Sequence, residues 1–355
     1  GDSNTAFGVS SLAANTTASN NTAVGSSALV ANTTGALNAA LGSEALLANT
    51  TGDQNVAMGY EALQANTTAD GNVALGTRTL QANTTGASNT AVGHQTLYAN
   101  TTASNNTAVG MNALVANTTG TRNTAIGAYA ADAITDGLAN VLVGNNAGGG
   151  GNFSTGVAVG DNALLANTGN NNTALGQAAM AANTSGSENT AVGQGALDAN
   201  TTASNNTAVG YASLTANTTG AQNTAVGRSA LAAITTGSHN TAVGYAALDA
   251  EDTGGASVAV GPWALSSQNY DGNAYNTAVG YLAGEDVTTG VKNTLIGGLA
   301  GDAITTGERN VYLGYTTGTS ATDVSFNVGL GAESLYTNVN GSRNVAVGNG
   351  ALFAM

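Results

Sequence analysis

The residues that could do chemistry are few and lie far apart. The chain has two histidines, His94 and His239. Neither stands at a spacing that builds a nucleophile–base pair, and no Ser-His-Asp order, Walker loop or His-x-x-x-His motif is present. Both histidines are expected at the surface. Glu285 and Asp302 recur 17 residues apart with Asp286 beside them. Hard oxygen ligands in such a row could hold Ca2+, so Glu285, Asp286 and Asp302 form a weak metal candidate whose plain alternative is solvated turn charge. Asp249, Glu251 and Asp252 make a second acidic cluster. Cysteine is absent, which excludes disulfides and thiolate metal sites. Gly148 to Gly151 are a weak phosphate-loop signal, since they fall in a coil turn with no helix expected to follow. The expectation is no catalytic residue, no enzyme activity and no cofactor apart from that Ca2+ candidate.

Composition narrows the partners. The formal net charge is −14, with only six Lys and Arg, too few to lay a cationic footprint along phosphates, so nucleic acid is not expected. No run approaches the ~18 apolar residues of a membrane helix, so no membrane insertion is expected. Charged residues are 7% and Gly numbers 50, while proline occurs once; this is not the charge-rich makeup of a disordered linker.

What the sequence does carry is a rhythm. Asn21-Thr22-Ala23-Val24-Gly25 returns about every 17 residues, and aligning copies on the closing glycine from Gly8 to Gly348 gives 21 turns. Three intervals depart, two of 16 and one of 19 residues. A fixed period of this length marks a solenoid in which each repeat is one coil stacked on the last. The expected fold is all-β, a parallel β-solenoid (β-roll) of 21 coils at 17 residues per coil, forming one repeat domain over 1–355. Irregular coils are expected at 145–156, 249–276 and 281–321, the second holding the only Pro and Trp, Pro262 and Trp263.

Positions are numbered from the Asn. Position two is Thr or Val except at Ala39, and position four is apolar in every copy. Alternate strand residues share a face, so the β-branched pair at two and four is expected inside. Position three is Ala in 17 copies and would then point outward as a smooth stripe. Ala6, Ala23, Ala40, Ala57, Ala74, Ala91, Ala108, Ala125, Ala191, Ala208, Ala225 and Ala242 are therefore expected to form an oligomer interface. The exceptions at this position are Leu142, Leu295, Tyr312 and Gly329.

The closing glycine is expected at positive φ. Position nine is Leu in 15 copies. Where it shrinks to Ala131, Gly284 or Gly301, position twelve grows to Ile134, Val287 or Ile304, a volume exchange that places position twelve in the core. Its usual residue, in Asn15, Asn32, Asn49, Asn66, Asn83, Asn100 and Asn117, is expected to stack as a buried amide ladder. Thr16, Thr33 and Thr50 at position thirteen would face out as a rank, and Ala-Asn-Thr-Thr is expected to form a second strand. The Asn-Thr-Thr triplets match a glycosylation acceptor, but buried amides cannot carry sugar; Asn20 and Asn105, in turns, are the better acceptors. Gly1 to Ser3 supply positions fifteen to seventeen of a preceding coil and Met355 falls at position twelve, so head-to-tail stacking into a filament is expected.

The Asn-Thr-Ala-Val-Gly strand with a period in the teens resembles the head repeats of YadA-type trimeric autotransporter adhesins and related bacterial and phage fibre β-roll repeats. The likeness extends over essentially the whole chain, although the family's coil is shorter, near fourteen residues. The resemblance implies a left-handed roll, a homotrimer whose inner strands meet at the axis, and a place outside the cell or at its surface. A structural fibre with an adhesive role toward a host surface or glycan is the expected function. The alternative is an ice-binding β-solenoid that uses the Thr rank.

Overall fold

A computed structural model of the chain describes residues 1–354; the position-twelve assignment of Met355 lies outside them. Two compact units are formed, Gly1–Asn172 and Thr173–Met355. The first carries strands β1 (Thr5–Phe7) through β10 (Val157–Val159) and the second β11 (Thr173–Leu175) through β21 (Val345–Val347), each strand three residues long. The fold is a parallel β-solenoid, with no helix among the described residues. Within each unit, strand follows strand in parallel register at the repeat spacing, as in Thr107↔Thr124, Ala108↔Ala125 and Val109↔Ile126.

One coil shows why these residues wind this way. The strand ends at a glycine with φ near 136°, as at Gly25, a conformation closed to side chains. Left-handed residues then turn the chain at positions seven, nine and seventeen, for example Ser27 (φ 58), Leu29 (φ 50) and Leu37 (φ 61). A non-glycine residue held there costs roughly 1–2 kcal/mol. At position nine this cost is offset, because Leu29 is fully buried and burying a leucine contributes about 1.5–3 kcal/mol. Glycine at this position, in Gly148, Gly284, Gly301 and Gly318, keeps the same left-handed φ of 58 to 66°.

The expected second strand does not form. Asn32 N–H bonds back to Leu29 O inside its own coil, while Thr33 and Thr34 both donate to Thr50 O in the next. A ladder needs alternating donors and acceptors, and this segment is instead a turn tied to its neighbour.

The interior also corrects the sequence reading of the strand faces. Ala23, Ala40, Ala57, Ala74, Ala91, Ala108, Ala125, Ala191, Ala208, Ala225 and Ala242 are at most 1% exposed within the single chain. They line the bore and cannot form the proposed outward interface; Ala6, in the first coil, is exposed. Positions two and four point out instead. The bore is narrow because position three faces the leucines of position nine across it, so only a methyl fits. Where position nine is glycine, position three can grow: a Cβ at Gly148 would sit 2.9 Å from Leu142, one at Gly301 2.8 Å from Leu295, and one at Gly318 would strike the Tyr312 ring. In the 145–156 coil, Phe153 also turns inward, 2% exposed, to fill the space beside Gly148.

Candidate interaction face

Two amide ladders hold the strands in place. The position-twelve ladder forms as the sequence suggests. Asn49 Nδ2 donates to Asn32 Oδ1 at 2.9 Å, Asn66 to Asn49 at 2.9 Å, Asn83 to Asn66 at 3.0 Å, Asn100 to Asn83 at 2.7 Å and Asn117 to Asn100 at 3.0 Å. Asn15 is half-buried, and Asn32 reaches it at 3.4 Å. Isoleucine interrupts the ladder at Ile134 and Ile234, and the buried Oδ1 atoms of Asn117 and Asn217 before them find no protein partner.

The second ladder, at position one, was visible only as near-invariance of Asn. Asn106 is typical: it is 0% exposed, its Oδ1 accepts from Asn123 N–H at 2.9 Å, and its Nδ2 donates to Gly120 O at 2.8 Å. Each such amide therefore satisfies one backbone donor and one backbone acceptor at the entry to the next strand.

With the backbone so fixed, each unit presents an outward strand face of Thr or Val at position two and an aliphatic residue at position four. Leu41, Met58 and Ile126 in the first unit, and Leu175, Val279 and Leu313 in the second, are exposed. Ala39 is the one small residue at position two, and it leaves a groove of about 220 Å3 bounded by Thr22, Val24, Leu41, Val56 and Met58. These exposed or half-buried side chains form an aliphatic row on the outward face of each unit.

The threonine rank at position thirteen is less free than a sequence view suggests. Thr33 Oγ1 donates to Thr50 O at 3.0 Å and Thr50 Oγ1 to Thr67 O at 3.1 Å. Their hydroxyl protons are committed to the adjacent coil. Thr33 and Thr50 are only half-exposed, although Thr16 and Thr184 in the same rank are exposed; position fourteen is exposed at Thr34 and Thr51.

His94 and His239 are exposed, as expected. Asn20 and Asn105 are exposed with φ of 62°, whereas the Asn of the Asn-Thr-Thr triplets is buried at Asn32 and its successors through Asn117. Among the described residues no group of three or more His, Asp or Glu side chains is placed to hold a metal ion. Glu285, Asp286 and Asp302 lie at neighbouring positions of adjacent coils, and burial is the main force on two of them. It raises the Glu285 carboxyl above its usual range and pushes Asp302 up to about 6, with the charges of Asp286 and Glu285 adding to the Asp302 shift. One Asp302 oxygen, Oδ1, is buried without a hydrogen-bond partner.

Glu251 replaces the ladder asparagine and is fully buried. It accepts from Gly254 N–H at 2.8 Å, Gln268 Nε2 at 2.7 Å and Tyr270 N–H at 3.4 Å. Burial raises its pKa, and these donors hold the rise in check.

Both groups have a folded pKa above the unfolded one. Their stability contribution is full below the ordinary carboxylate range and is lost as pH rises through the folded value. Asp302→Asn is therefore expected to raise the melting temperature at pH 7 and to remove the decline in stability that runs from the ordinary carboxylate range up to about pH 6. For a half-exposed group screened by solvent, the gain is about 1 kcal/mol, or roughly 2–4 °C. Melting curves from pH 4 to 8 test this; an unchanged pH profile in the variant contradicts it.

No family model and no curated protein matches the chain. The fold is a parallel β-solenoid whose units each carry an outward aliphatic strand face.

Proposed function

We propose that this chain is a non-enzymatic structural fibre protein, outside the cell or on its surface, that self-associates through the outward face of positions two and four. One observation supports it most: position four is apolar in all 21 copies although it points away from the core. β-propensity favours Val and Ile on any strand surface, but a solvent-facing position tolerates polar residues, and an apolar choice kept in every copy, including Leu41 and Met58, fits burial against a second copy. The assembly is a homotrimer or a filament of stacked chains, and an adhesive role toward a host surface or glycan is added through exposed side chains elsewhere. The resemblance of the repeat to adhesin heads and fibre shafts supports the same reading. Its mechanism is mechanical. Backbone donors are bonded to adjacent coils, which leaves few openings where a protease could draw out an extended segment.

Ile126→Lys with Val279→Lys places a charge in the exposed row of each unit. Sedimentation velocity at micromolar concentration is expected to show an oligomer for the unaltered chain and a folded monomer for the variant. Thr101→Lys, at position thirteen, should leave the oligomer intact. An unaltered chain that sediments as a monomer overturns the reading.

A further inference from the structure

A row of exposed rings in the second unit is used neither by the strand face nor by the core. Tyr211, Tyr245 and Tyr281 occupy position six of their coils, and Trp263 stands at position seven between the last two. Trp263 meets Tyr245 edge-to-face at 5.0 Å and Tyr281 at 5.8 Å. The Arg228 guanidinium lies 5.4 Å from the Tyr211 ring and 6.0 Å from that of Tyr245, in the coil between them. Beyond Tyr281 the next coil has Gly298, and the Tyr315 ring leans over it, 3.5 Å from where a Cβ would be. Tyr211, Tyr281 and Tyr315 are each more than half exposed. The first unit has only isolated rings at this position, such as Tyr60.

We infer that this row is a docking rail for an extended, uncharged, β-1,4-linked polysaccharide. This adds a named ligand class to the adhesive part of the proposed function and rests on that reading. Three features point to such a chain. Tyr211, Tyr245, Tyr281 and Tyr315 stand at position six of every second coil, about 9.6 Å apart at ~4.8 Å per coil, which is close to the two-sugar repeat of an extended β-1,4-linked chain, so alternate sugars meet tyrosines. Tyrosine and tryptophan combine a flat apolar body with a polar tip; the body takes the C–H face of a sugar and the tip its hydroxyls. The edge-to-face contacts hold the rings in place beforehand, which lowers the ordering cost of binding. Charge then selects the glycan. A net charge of −14 repels sulfated and uronic-acid chains and also anionic lipid surfaces, and Arg228 is the only cation in the row.

Trp263 is the only tryptophan, so its emission reports directly on the middle of the rail. The full chain is titrated with cello- and chito-oligosaccharides of increasing length, and depletion by insoluble cellulose and chitin is measured in parallel. Emission is expected to shift with at least one series, with affinity rising with length. Tyr245→Ser with Tyr281→Ser should weaken binding roughly tenfold or more, while Tyr60→Ser leaves it unchanged. Tyr211→Ser, at the end of the row and free of ring–ring contacts, should weaken only the longer oligomers and serves if the double variant is poorly folded. No emission shift and no depletion with either polysaccharide overturns the inference, as does full binding by a folded variant lacking the rings. A variant that changes sedimentation while the unaltered chain ignores both glycans assigns the row to self-association and also overturns it. The fibre reading is judged separately by the sedimentation of the lysine variants.

Discussion

Gly193→Ala is expected to be among the most damaging single-methyl additions in the second unit, while Gly195→Asn, two residues later in the same coil, is expected to be nearly silent. Both glycines have positive φ, but they differ in kind. Gly193 sits at φ 135°, and a Cβ there would be driven into the carbonyl of Gly210 in the next coil. Strained backbone of this sort costs about 1–3 kcal/mol and overpacking about 1–3 kcal/mol more, so a loss of roughly 2–6 kcal/mol is anticipated. Gly195 is in the ordinary left-handed region at φ 63° with nothing within 4 Å of a Cβ. Other coils place Ser27, Glu44 or Asn112 at this position with φ near 60°, and asparagine tolerates that region best. Chemical denaturation of the two variants checks the contrast. Equal losses would contradict the close coil-to-coil approach at the strand end.

The second large effect concerns the position-one ladder. Asn106→Asp is nearly isosteric, yet it exchanges the donor aimed at Gly120 O, 2.8 Å away, for an oxygen. At neutral pH a buried carboxylate would then face a carbonyl, and the backbone acceptor would lose its partner. Leaving one buried polar group unsatisfied costs about 1–3 kcal/mol, more when a charge is involved. A protonated carboxyl can donate to Gly120 O again. The variant's folded pKa is therefore raised, and the sign follows from linkage: stability is recovered below the ordinary carboxylate range and lost as pH rises through the raised value. Unfolding of Asn106→Asp followed between pH 4 and 7 should show a stability gap to the unaltered chain that closes on acidification; a gap independent of pH would refute the donor assignment. Asn106→Ala should stay destabilised at every pH.

Much of the architecture is legible in the sequence because period and special backbone geometry leave marks that do not depend on neighbours. The spacing of the closing glycines gives the coil, and their φ of 124 to 147° confirms why no other residue stands there. The amide ladder through Asn32 and Asn117 is legible because Ile134 and Ile304 trade volume with Ala131 and Gly301. The facing of the strand is not legible in the strand's own sequence for a physical reason. Val at position four can be chosen by a core or by an exposed sheet surface, and a strand of three residues offers too few alternations to tell them apart. The deciding signal was present in Leu142, Leu295 and Tyr312. Each falls six residues before a glycine, at Gly148, Gly301 and Gly318, so position three trades volume with position nine and must share its cavity. The acidic residues teach a related lesson: Glu251 looks like surface charge in the chain, and only its phase, the slot of a ladder asparagine, shows that it is buried.

The position-twelve amides all point one way. In each bond of the ladder the later coil supplies the donor and the earlier coil the acceptor, from Asn49 on Asn32 to Asn117 on Asn100. Aligned amide dipoles reinforce one another, which gives the stack a leading and a trailing end. A chain emerging from the ribosome makes its coils in that same order. Each new coil thus brings its hydrogen to an oxygen already fixed in place, and winding can keep pace with delivery without waiting for the distant end of the molecule.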